Sequence, residues 1–117
     1  MIYIDIRAMR AAIAKEIDLS KTRLKAEEVK MLFEFLKKYA SLAGKTVMGS
    51  VQTHTGFSSD GKYTQIEKTS WTFLQKSIGI VQTLEFQNDD GTGGKIEFVL
   101  ESGREIVNWL RDHKDKL

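Results

Sequence analysis

The chain has two imidazoles, His54 and His113, and no cysteine. Histidine chemistry must therefore centre on one of these two rings, while thiol nucleophiles, thiolate metal sites and a disulfide framework are excluded. His54 precedes Ser58, Ser59 and Asp60 across the turn-forming stretch Gly56–Gly61. Those are the residue types of a hydroxyl–imidazole–carboxylate triad, and a small hydrolase using His54 is one reading. No sequence feature supplies an oxyanion hole, and a polar residue at a strand end is the simpler reading. His113 falls in the last turn of the final helical pattern, where an imidazole complements the helix dipole.

Two loop segments resemble ligand sites only superficially. Gly91-Thr92-Gly93-Gly94-Lys95 is glycine-rich, but Lys95 runs into Ile96 and a strand. A phosphate loop needs a following helix whose N-terminus faces the anion. Asn88-Asp89-Asp90 lacks the alternating oxygen donors and the distal acid of a calcium loop. Turn formation accounts for both, so neither a metal nor a cofactor is expected.

Aromatic residues offer a third chemistry. Tyr63, Trp71 and Phe73 occupy odd positions of one strand-like segment, with Lys62, Lys68 and Lys76 interspersed. Aromatics on an open sheet face beside basic residues can stack single-stranded nucleic acid. Trp109 adds an aromatic at the rim of the final helix, a common anchor for a partner, although a border of the core is the simpler reading. The competing reading turns Trp71 and Phe73 inward, with Ile66 and Leu74 claiming the opposite face unless a bulge switches faces midway. Arg7, Arg10, Lys15, Lys21, Arg23 and Lys25 make a basic N-terminal face, read most simply as solvated.

The elements that would position these residues follow from periodicity. Ile2, Ile6, Met9, Ile13 and Ile17 recur at helical spacing, predicting a helix from about Asp5, with residues 1–4 open between strand and helix. Asp18–Thr22 breaks the pattern with capping residues. A second helix runs from Arg23 or Lys25 to Ala43, with Val29, Leu32, Phe33, Leu36, Tyr39 and Ala43 as its apolar stripe and Gly44 as its stop. Four strand patterns follow: Lys45–Thr55, Tyr63–Gln75, Ile78–Gln87 and Lys95–Leu100. In the first, Val47, Val51 and Thr53 are assigned to one face, and Met48, Ser50, Gln52 and His54 to the other. Ile78, Ile80, Leu84 and Phe86 share a face of the third, and Ile96, Phe98 and Leu100 are expected inward in the fourth. Ser102-Gly103-Arg104-Glu105 is a capping box that opens a last helix with Ile106, Val107 and Leu110 as its core stripe.

The expectation is one α+β domain over residues 1–117. An N-terminal helical hairpin, a four-stranded antiparallel meander and a C-terminal helix packed on one sheet face make up its architecture. A length of 117 residues suffices for a core, and 41% hydrophobic with 29% charged residues argues against disorder. No apolar run approaches a membrane span or signal-peptide core, so a cytoplasmic location is expected. Net charge is +2, with the basic excess in the N-terminal helices, too mild to make nucleic acid the default partner. The leading expectation is a non-enzymatic binding module that docks a protein through the sheet face or the last helix. An inhibitor, immunity-type or adaptor protein of phage or mobile-element character fits that description. The alternatives are a single-stranded nucleic-acid binder using Tyr63, Lys68, Trp71 and Phe73, and the His54 hydrolase. A free sheet face or edge also invites a homodimer.

Overall fold

In the computed structural model, residues 5–59 and 61–117 are described; residues 1–4, with Ile2 of the first apolar stripe, the side chain of Ser58 and all of Asp60 lie outside that set. The element order is α1 (Ile6–Ala14), α2 (Ala26–Leu42), β1 (Thr46–Ser58), β2 (Gly61–Phe73), β3 (Ile80–Asn88), β4 (Gly93–Leu100) and α3 (Gly103–His113), closed by a short 3-10 turn, Lys114–Lys116. The strands form one antiparallel sheet in sequence order. The α+β meander expected from the sequence is the fold observed.

Local chemistry explains the boundaries. Asp5 caps α1 by accepting from the Ala8 backbone N–H at 2.8 Å. The chain leaves the helix after Ala14, yet Ile17 remains buried because Ile13 O accepts from both Glu16 N and Ile17 N in a tightened last turn. Gly44 ends α2 with φ 81°, the left-handed conformation that glycine adopts without a Cβ penalty. Ser102 and Glu105 form the anticipated reciprocal cap of α3, each accepting from the other's backbone N–H at 3.2 Å.

The core gathers Ile13, Leu24, Val29, Leu32, Phe35, Tyr39, Trp71, Phe73, Ile80, Ile106, Val107, Trp109 and Leu110. Helix α2 touches both α1 and α3, so its apolar stripe is wider than expected. Phe35, absent from the expected stripe, is buried, whereas Phe33 and Leu36 are half-buried. The Tyr39 hydroxyl lies 2.6 Å from Leu74 O and 2.9 Å from Gly79 O and accepts from Gly79 N at 3.2 Å. It thereby pins the β2–β3 turn onto α2, and its burial raises its pKa above the ordinary phenol value.

A buried acid joins the helices. Glu28 is 3% exposed and accepts from Arg104 Nη1 and Arg111 Nη2, both at 2.7 Å, and from Lys25 N at 2.9 Å. Arg104 also reaches Thr22 Oγ1 and Arg23 O, so one guanidinium fastens the start of α3 to the entry of α2. The Arg104 hydrogen bond, the Lys25 N–H and the Arg111 guanidinium outweigh desolvation and hold the carboxyl at about 2.

The molecule is long. Its radius of gyration is 18.3 Å and its extents are 65 × 26 × 23 Å, against about 13 Å for the radius of a compact domain of this size. The mismatch is between helix and strand rise. Helix α3 has 11 residues and β2 has 13. At about 1.5 Å per helical residue and about 3.3 Å per strand residue, they span about 16 Å and about 43 Å. The helices cover one end of one sheet face, and the rest of the sheet projects as a blade.

Candidate interaction surface

Sheet register assigns every strand residue to a face. Val47, Trp71, Gln82 and Phe98 form one cross-strand row, and Trp71 Nε1 donates to Gln82 Oε1 at 3.0 Å within it. Phe73, Ile80 and Leu100 make the next row toward the helices. Three rows lead away from them: Thr69, Leu84 and Ile96; then Gln52, Glu67, Phe86 and Gly94; then His54, Gln65 and Asn88. This is the helix-bearing face.

The face assignment expected for β1 is corrected by a bulge. Register shifts between Met48 and Val51, so Gly49 and Ser50 together oppose Thr69. Val47 therefore shares a face with Gln52 and His54, while Met48 shares the other with Val51 and Thr53. Gly49 makes room for this, because a Cβ there would lie 2.7 Å from the Trp71 ring. β2 carries no bulge that would switch its faces and pairs without interruption with β3.

The aromatics expected to bind a partner separate into different environments. Trp71, Phe73 and Trp109 are 6%, 0% and 4% exposed, which removes them from the surface. Trp109 packs edge-on against Trp71 and Phe73, both with ring centroids 5.7 Å away, because α3 lies directly over that end of β2. His113 covers Trp71 at 4.3 Å and stacks on Trp109, with its Nδ1 2.9 Å from Trp109 O. Trp109 Nε1 has no hydrogen-bond partner among the described residues. Tyr63 is half-exposed near the blade tip, where its ring lies across Gly56. Lys68 is exposed on the opposite face from Trp71. Arg7, Arg10, Lys15, Lys21, Arg23 and Lys25 are all exposed on α1 and the α1–α2 link, remote in sequence and element from the sheet aromatics. Arg10 donates to Leu24 O at 3.0 Å.

His54 sits inside β1, and its Nε2 lies 3.1 Å from Glu67 Oε2 across the strand pair. The expected turn at Gly56–Gly61 is narrower, since β1 continues to Ser58 and β2 begins at Gly61. Asp60 of the triad composition lies outside the described residues. No group of three potential metal ligands occurs among the described residues, and none of their helices is long and apolar enough to cross a membrane.

Ile96 and Phe98, expected inward, are each 48% exposed. Both are on the expected face, but the helical layer stops short of them. With half-buried Leu84 and Phe86 they form one apolar patch in adjacent rows, beyond the helices. Polar residues flank it on β1 and β2: Gln52, His54, Gln65, Glu67 and Thr69. None of the strand residues on this face is Lys or Arg; Lys62, Lys68 and Lys95 all project from the other one. That other face interleaves its apolar side chains with polar ones, as in the row Val51, Lys68, Glu85 and Lys95. Its apolar side chains include two separate pairs, Val81 beside Val99 across β3 and β4 and Met48 followed by Val51 along β1, with Ser70 and Thr83 between them, and the larger contiguous patch lies on the helix-bearing side. The signal available in the sequence was length: strands of 13 residues cannot be roofed by an 11-residue helix. No protein family, curated protein or solved structure matches this chain.

Proposed function

We propose that the chain is a non-catalytic binding module that docks a protein partner on the blade, through Leu84, Phe86, Ile96 and Phe98. One observation carries this reading: a contiguous apolar patch on the helix-bearing face, left open by the helices and rimmed by uncharged polar groups and the His54–Glu67 pair. An apolar centre with a polar rim is the anatomy of a protein–protein interface. A nucleic acid on the same face would meet no lysine or arginine from the strands, and phosphate neutralisation supplies most of such affinity. The charge distribution thus favours a protein over a single strand. An inhibitor or adaptor acting by steric occupation needs nothing more than this surface.

Site-specific photo-crosslinking tests the reading. A photoreactive phenylalanine analogue at position 86 or 98, in cells of the source organism, is expected to give a defined protein adduct that is absent when the analogue stands at Thr55 on the other face. Adducts to nucleic acid, or equal protein adducts from both faces, would overturn it.

A further inference from the structure

The two edges of the sheet differ. β1 is interrupted by the bulge at Gly49–Ser50, and Lys116 Nζ donates to Met48 O at 3.2 Å. Bulges and covering side chains are how sheets protect an edge from pairing with another chain. β4 has neither: it pairs with β3 in unbroken register from Ile80↔Leu100 to Gln87↔Gly93, and no described strand lies on its outer side. Lys95 alone would discourage pairing. Followed by Glu97 on the same face, 3.2 Å away, it makes the edge self-complementary.

We infer that β4 pairs antiparallel with β4 of a second copy, about a twofold axis through Ile96, giving a homodimer with a continuous eight-stranded sheet. In an antiparallel pair only registers that keep each residue on its own face are allowed, and the charges choose among them. The register centred on Ile96 sets Lys95 opposite Glu97 of the second copy, twice. Centring on Lys95 or Glu97 sets like charges opposite, and centring on Phe98 sets Glu97 against Val99. The chosen register also matches large side chains to small ones. Phe98 falls opposite Gly94 of the second copy, and Val99 opposite Gly93. Gly94 is open for this, since a Cβ there would meet nothing within 4 Å. On the far face, the alternating row Lys68, Glu85, Lys95 continues into Glu97 of the second copy. On the near face the two apolar patches merge across the axis, which deepens the protein-docking reading by doubling its surface.

Sedimentation of the purified full chain over a range of concentrations tests the inference with no other partner present. The wild type is expected to show a concentration-dependent dimer. Lys95→Glu places Glu opposite Glu and Glu97→Lys places Lys opposite Lys; each is expected to weaken the dimer roughly tenfold or more. Mixing the two single variants, or combining them as Lys95→Glu/Glu97→Lys in one chain, restores opposite charges and is expected to restore the dimer. Circular dichroism of each variant separates lost pairing from lost folding. A wild type that stays monomeric, single variants that dimerise like the wild type, or a mixture that fails to recover would each overturn the pairing. Crosslinking of a different protein at positions 86 and 98 would still stand in that case, so the two readings fail separately.

Discussion

Acid should weaken this fold through Glu28 in particular. Its carboxylate is closed off by Arg104 and Arg111, whose side chains are 37% and 54% exposed, so the ion cluster lies near the surface and is capped by its own partners. The folded pKa of about 2 lies below the ordinary 4.5. A depressed folded pKa adds stability above the unfolded value, and that stability is lost as pH falls from 4.5 toward 2. At about 1.4 kcal/mol per pH unit the full effect would be about 3 kcal/mol, and solvent screening of the exposed guanidinium groups reduces the expectation to about 1–2 kcal/mol. The comparison is with Glu28→Gln, which keeps the shape and cannot titrate. Asp18 and Asp90, also lowered by their own hydrogen bonds, titrate equally in both proteins and cancel in the difference. Urea unfolding at intervals from pH 7 to pH 2 should show the wild type more stable at neutral pH and the gap closing below pH 4.5. Parallel stability curves for the two proteins across that window would refute the assignment of the acid-sensitive contribution to Glu28.

Two packing predictions follow. Tyr39→Phe removes the hydroxyl that bridges Leu74, Ser77 and Gly79, leaving buried backbone groups of the β2–β3 turn without their partner, and should cost about 1–3 kcal/mol by urea denaturation. Gly49→Ala drives a methyl against the Trp71 ring and toward Thr69 O at 3.0 Å; overpacking of this kind should cost about 1–3 kcal/mol and lower Tm, with a change in tryptophan fluorescence as Trp71 moves.

Much of the architecture was legible because local signals agreed. Helical spacing of Ile6, Met9 and Ile13, glycine at position 44, the turn after Asn88 and the Ser102–Glu105 box each marked an element that formed. The faces of β1 were not legible. A bulge moves every later side chain to the other face, and nothing in Val47–Val51 marks it except a glycine whose role depends on Trp71, 22 residues away. The Glu28 cluster was hidden for a similar reason. An acid such as Glu28 in the first turn of a helix is accounted for by the dipole alone, and Arg104 and Arg111, two helical turns apart on α3, give no indication in the sequence of a common partner. The surface patch was half-legible: alternation placed Ile96 and Phe98 on the correct face, but whether a face is covered depends on how far the helices reach. Trp71 and Trp109 illustrate the converse, since large aromatics with basic neighbours read as a stacking surface until α3 is seen to lie over them.

If Leu84 and Phe86 serve a partner more than the core, the double variant Leu84→Ser/Phe86→Ser shows it when stability and partner capture are measured on the same protein. Both residues are half-buried on the blade, away from the core cluster. The expected outcome is a folded variant, destabilised by no more than about 2 kcal/mol, that no longer retains the protein crosslinked at positions 86 and 98. A variant that unfolds, or one that retains that protein with wild-type affinity, would contradict it.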